Sequence, residues 1–175
     1  SSCFTSDHLC SYVQSRSYRA PEVILGLPYE QKIDLWSLGA ILAELHTGYV
    51  LFQNDSVPTM LARISGIVGP FPADMLKRGR HTHKYFAPGG GVYEQDGSGR
   101  MEMLKPKVTS LRHRLRSDDE LFLSFVGSLL KVFVFARPPI SPICRTPLFP
   151  HLTLYSCFFI SDDERRPSRW TRPSH

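Results

Sequence analysis

Residues 11–48, SYVQSRSYRAPEVILGLPYEQKIDLWSLGAILAELHTG, decide how the fold is read. Between residues 31 and 47 the apolar side chains Ile33, Leu35, Trp36, Leu38, Ala40, Ile41, Leu42, Ala43 and Leu45 leave almost no polar face. A helix that is apolar all round belongs inside a domain, with other elements packed about it. Gly48 supplies a stop of the kind found just past helix ends. Asp34 stands near the helix start, where the macrodipole favours negative charge. Upstream, Pro21-Glu22-Val23-Ile24-Leu25-Gly26 reads as a short helix that ends in glycine.

Two motifs lie in this stretch. Ala20-Pro21-Glu22 follows Tyr18-Arg19, and Asp34-Leu35-Trp36-Ser37-Leu38-Gly39 comes next in the chain. Either one alone is weak. Together, in this order and spacing, they resemble the close of the activation segment and the central helix of the protein-kinase C-terminal lobe. The run from Tyr12 to Arg19, YVQSRSYR, is similar to the Y-x-Q-S-R-x-Y-R of the dual-specificity tyrosine-regulated kinases, the DYRK type of the CMGC group. The resemblance covers residues 1–130. In that family the tyrosine matching Tyr12 is autophosphorylated and its phosphate is held by two arginines, here Arg16 and Arg19. A dianionic phosphate between guanidinium forks orders a loop well; the plainer reading is a surface tyrosine beside a basic turn. Cys10 stands where double-tyrosine members carry another tyrosine, which resembles the single-tyrosine branches and suggests a plant member.

The resemblance also implies structural roles. Glu22 would pair with a buried arginine near the end of the lobe, and Arg137-Pro138 keeps the family's R-P spacing. Asp34 would tie the central helix to the catalytic loop, with Trp36 and Gly39 completing that motif. The implied fold is mainly α: an incomplete kinase C-terminal lobe around a buried central helix, without an N-terminal lobe. Residues 1–26 form the activation segment with its substrate-site loop, residues 27–131 the remainder of the lobe, and residues 132–175 a divergent tail.

Composition agrees with a globular domain. The 175 residues are 42% hydrophobic and 21% charged, with a formal charge of +5. Six Arg against three acids from Arg137 onward give +3, leaving 15 bases and 13 acids, or +2, before it. That distribution is no nucleic-acid footprint. Cys3, Cys10, Cys144 and Cys157 show neither C-x-x-C spacing nor a disulfide framework, which points to a reducing, cytoplasmic or nuclear compartment. The apolar patch at residues 148–160 contains Pro150 and His151 and falls short of the roughly 20 residues of a membrane span.

Further along, Ser56 is a candidate N-cap, Pro58 fits a first turn, and Met60, Leu61, Ile64, Ile67 and Val68 mark one core-facing helical stripe. Residues 79–99, with Gly89-Gly90-Gly91 and Asp96-Gly97-Ser98-Gly99, read as loop. The run LKPKVTSLRHRL at residues 104–115 resembles an insert of the same family. Its Lys105, Lys107, Arg112, His113 and Arg114, with Arg116 following, fit either an acidic partner or a solvated loop. Ser117 and Glu120 form a capping box for a helix burying Leu121, Phe122, Phe125, Val126, Leu129 and Leu130. Beyond residue 131 the family pattern fades: Pro138, Pro139, Pro142 and Pro147 oppose a helix, and residues 162–175 have the composition of disorder. An altered reading frame or retained intron past about residue 131 is the expected source of that change.

Phosphoryl transfer in kinases needs a Gly-rich loop, a strand lysine, an H-R-D aspartate and a D-F-G aspartate. None of these motifs occurs in the sequence. No residue is therefore assigned as catalytic, and no cofactor or metal is expected on this chain, whereas the intact family uses ATP and magnesium. Two readings stand: a fragment of a Ser/Thr (dual-specificity) kinase, inactive alone, with protein substrates or docking partners and no nucleic acid or membrane; or a non-catalytic binding module or non-functional truncated product. Without the elements that pack on the central helix, Trp36, Leu38 and Ile41 are expected to border an exposed apolar patch that favours aggregation.

Overall fold

Pro21 opens the first helix of the computed structural model, which describes residues 13–53, 55–132 and 137. Its fixed φ suits a first helical turn. Helix α1 (Pro21–Leu25) ends at Gly26, whose φ of 71° lies in the left-handed region that glycine enters without strain. Helix α2 (Lys32–Thr47) closes in the same way on Gly48, at φ 76°. Ser56 caps α3 (Val57–Val68) by accepting from the Thr59 N–H. Then come α4 (Ala73–Arg78), a 3-10 turn (Thr82–Lys84), strands β1 (Val92–Gln95) and β2 (Met101–Leu104), α5 (Leu111–Leu115) and α6 (Glu120–Leu129).

Helix α2 is the organising element. Trp36 is fully buried and stacks on Phe52, with ring centroids 5.4 Å apart and planes 13° from parallel. Gly39 is the point of closest approach to α6. A Cβ there would stand 2.9 Å from Leu130 Cγ and 3.0 Å from Leu129 Cβ, so only glycine lets the helices meet. On the other side of the core α3 buries Met60, Leu61, Ile64 and Ile67, while Val68 is half-buried.

Several expectations need correction. Helix α2 is not buried all round: Ile41 is 40% exposed and Leu45 76%, one helical turn apart on one stripe. The apolar patch lies there, and Trp36 is not part of it. Residues 79–99 are not simply loop. They hold a 3-10 turn and most of an antiparallel hairpin, with Val92 opposite Leu104 and Gln95 opposite Met101. The insert at residues 104–115 contains α5, capped by Ser110. The cap of α6 is Asp119 and not Ser117: Asp119 Oδ1 accepts from the Leu121 and Phe122 N–H groups, and Ser117 Oγ accepts from the Asp119 N–H. Leu121 is accordingly exposed and Leu123 takes its place in the core. The tail assigned to residues 132–175 lies outside the described residues except for Val132 and Arg137.

Candidate functional site

The loop ahead of α1 is centred on one side chain. Gln14 sits at φ 65°, a left-handed conformation that residues other than glycine seldom adopt. Its amide makes three bonds that hold it there. Nε2 donates to Ile33 O at 2.8 Å and to Ser37 Oγ at 2.7 Å, and Oε1 accepts from the Ala20 N–H at 2.9 Å. Ser37 Oγ in turn donates to Tyr18 O at 2.8 Å. One amide thus joins the start of α2 to the residue that begins α1.

Arg19 closes the same loop from the other side. Its Nε donates to Val13 O and its Nη2 to Gln14 O, both at 3.0 Å. Tyr18 donates its hydroxyl to Glu44 Oε2 at 2.6 Å, fixing the loop along α2. That bond, helped by burial and by the Glu44 charge, raises the Tyr18 phenol above its ordinary pKa. Arg16 is exposed in the 3-10 turn Arg16–Tyr18. Tyr12, the expected phosphorylation site, lies outside the described residues.

Below the loop a buried ion pair anchors α1. Arg137 Nη1 donates to Glu22 Oε1 at 2.5 Å and Nη2 donates to Glu22 Oε2 at 2.9 Å, a two-pronged contact between residues each 1% exposed. Further Arg137 bonds reach Lys131 O and Lys32 O, and its guanidinium carbon stands 5.2 Å from the Trp36 ring centroid. Every guanidinium nitrogen therefore has an acceptor, the condition under which a buried charge is tolerated. The structure brings Ala20, Pro21, Glu22, Trp36 and Arg137 into one buried unit; Asp34 is exposed in the first turn of α2.

Sequence reasoning missed Gln14, Ser37 and Glu44. Gln14 stands inside the very run that carried the resemblance, yet its partners lie 19 and 23 positions on. Among the described residues no group of His, Cys, Asp and Glu is arranged to hold a metal ion, and no step through magnesium or ATP is assigned to them. Nor is any helix among them long and apolar enough to cross a membrane.

Comparison with known proteins identifies the family. The family profile described as Protein kinase domain matches residues 1–149, running past residue 130 and taking in Arg137. The chain is 40% identical over 131 residues to a DYRK-family kinase of Schizosaccharomyces pombe, matching 75% of this chain and 12% of that one. It is 38% identical over 130 residues to dual specificity tyrosine-phosphorylation-regulated kinase 4 of Homo sapiens, covering 74% of this chain and 25% of the relative. The Drosophila melanogaster kinase 2 of that name is 37% identical over 134 residues, with 75% and 18% covered. The chain thus spans at most a quarter of these three relatives. A run carrying the Gln14 clamp and the Glu22–Arg137 anchor, matched across most of its length by such relatives, belongs to the protein kinase domain family, on its DYRK-type CMGC branch.

Proposed function

We propose that this chain is the substrate-side portion of the C-terminal lobe of a dual-specificity Ser/Thr kinase whose complete domain transfers phosphate from Mg-ATP to proteins. Residues 1–26 act as its activation segment, residues 27–131 as the rest of this portion, and residues 132–175 as its tail. Tyr12 is the regulatory phosphate acceptor and Arg16 and Arg19 its partners. One observation carries the reading: the Gln14 and Arg19 bonds already fix the backbone just after Tyr12 against α2 and Ala20. A phosphate added beside two guanidinium groups would reinforce a loop that is already shaped. Cys10 in place of a second tyrosine supports the single-tyrosine, plant-type branch.

By itself the chain transfers no phosphate, because the residues that position ATP and take the hydroxyl proton in this family are not among its 175. It works in a reducing, intracellular setting. A second reading, a non-catalytic docking module, is favoured by the exposed Ile41 and Leu45 on α2 and Tyr49 just past its end. Incubation with radiolabelled ATP, magnesium and a generic protein substrate separates catalysis from its absence. No incorporation is expected into the substrate or into Tyr12; incorporation that survives repurification overturns the assignment.

A further inference from the structure

The hairpin carries a feature that phosphate transfer does not use. Among the described residues β1 and β2 form a two-stranded sheet, so β2 has a neighbour on one edge only. The Asp96 N–H donates to Arg100 O, which sets the phase of the antiparallel ladder. Glu102 and Leu104 are then the residues that exchange backbone bonds with Glu94 and Val92, and the N–H and C=O groups of Met101 and Met103 point away from β1. Among the described residues no backbone partner stands on that side of β2.

The side chains along this edge follow a simple pattern. Met101 and Met103 are 61% and 53% exposed, Leu104 is half-buried, Lys105 exposed, Pro106 half-buried and Lys107 exposed. Exposure alternates from residue 103 to 107, as in an extended chain with one face on the protein. One outward row therefore reads Met101, Met103, Lys105, Lys107. The row is held in place: a Cβ on Gly66 of α3 would lie 2.4 Å from Lys107 O, and the Thr109 N–H donates to Gly66 O at 2.8 Å. No acidic side chain among the described residues pairs with Lys105 or Lys107, whereas nearby Arg112 is taken up by Asp118 and Glu120.

We infer that the outer edge of β2 accepts an extended acidic peptide segment from a partner protein. The segment runs antiparallel to β2, exchanges main-chain hydrogen bonds with Met101 and Met103, and sets two carboxylates at alternate positions against Lys105 and Lys107. Apolar side chains further along the segment lie over Met103 and Met101. Backbone pairing supplies affinity and the alternating row supplies selectivity, the division of labour in strand addition. By the same phase Pro106 turns its missing N–H toward the β1 side, past the end of the ladder at Leu104, so it leaves the outer edge uninterrupted.

The test uses the whole 175-residue chain and a fluorescent seven-residue peptide with acids at positions one and three, valine at five and seven, and threonine between. Fluorescence anisotropy is expected to show saturable binding, weakened about tenfold or more by Lys105→Glu with Lys107→Glu, where each carboxylate then meets a like charge. N-methylation of the peptide edge facing β2 abolishes binding, and N-methylation of the opposite edge leaves it intact. The two lysines are surface residues, and an unchanged circular dichroism spectrum confirms that the variant still folds. Absence of binding overturns the proposal. So does equal binding by both N-methylated peptides, which marks plain attraction of polyanions, and so does loss of binding as protein concentration rises, which marks a second copy on the same edge.

Discussion

Two regions of this molecule handle charge in opposite ways. Around α1 and the start of α2, Glu22 and Arg137 are taken fully out of water and each oxygen and nitrogen of the pair is matched. Around the hairpin and α5, Lys105, Lys107, Arg114 and Arg116 stay exposed, and Arg112 meets Asp118 and Glu120 in solvent. Burial makes the first arrangement a fixed joint, since an unpaired charge there has nowhere to go. Exposure makes the second adjustable, because water and salt screen it and its long side chains keep their freedom. The part around α1 is thus rigid by electrostatics, and the basic part is free to meet another molecule.

The largest expected effect tests the joint. Glu22→Ala leaves Arg137 buried without its carboxylate, beside Trp36, and should lower stability by about 3–5 kcal/mol in urea denaturation. Domains of this size hold only about 5–15 kcal/mol in total. Replacing both partners together, Glu22→Leu with Arg137→Leu, removes the stranded charge and should recover most of that loss. A cost below about 1 kcal/mol for Glu22→Ala, the range of exposed pairs, would place the pair in water and erase the contrast between the regions.

The second effect is smaller and compares two glycines in helices. Gly66 anchors the basic segment: its added Cβ would meet the Lys107 carbonyl oxygen at 2.4 Å, and backbone cannot step aside as a side chain can. Gly66→Ala should therefore cost about 1–3 kcal/mol through overpacking. Gly127, within α6, has Leu111 Cδ2 at 3.6 Å, an ordinary contact. Gly127→Ala should be neutral, or stabilising by up to about 1 kcal/mol through helix propensity. Thermal melts show a loss for Gly66→Ala and none for Gly127→Ala if the segment at residues 105–109 is seated on α3. Equal effects would mean that this segment moves aside freely, and the rigid backing of the β2 edge would be lost.

What could be read in the sequence follows the range of each signal. The ends of α1, α2 and α3 depend on Gly26, Gly48 and Ser56, residues that act on their immediate neighbours, and they were legible. The hairpin was not: its strands have four residues each, Glu94 faces Glu102 across the ladder, and the glycines around it suggested loop. What makes the turn is Asp96, whose Oδ1 accepts from the Ser98 and Arg100 N–H groups. At α6 three consecutive acids follow Ser117, and the middle one, Asp119, captures two N–H groups, moving the start and turning Leu121 outward. The exposed stripe of α2 was anticipated at Ile41 but not at Leu45, and Trp36 was wrongly placed beside it, since composition reports how apolar a helix is and not what covers it. At the site, the Glu22–Arg137 pairing was legible only through resemblance. Gln14 was invisible because its conformation is sustained by groups far along the chain.

The smallest effect lies at the seam between the two regions. The His81 N–H donates to Leu25 O at 2.9 Å, and its ring lies where a Cβ on Gly26 would come within 2.7 Å, so the residue packs on the end of α1. Burial first, and then the positive charges of Lys84, His83 and Arg80, hold its imidazole below the ordinary pKa of 6.5. The folded protein therefore resists a proton that the unfolded chain accepts. This contribution is intact above pH 6.5 and is lost as the pH falls from there through the lowered folded value, where the loss levels off. The melting temperature of the wild type should fall more between pH 7.5 and 5.5 than that of His81→Gln, whose side chain does not titrate. All other groups are common to both proteins and cancel in the difference. Equal falls would mean that His81 ionises as freely in the folded protein as in the unfolded chain, and that the end of α1 is open to water where the two regions meet.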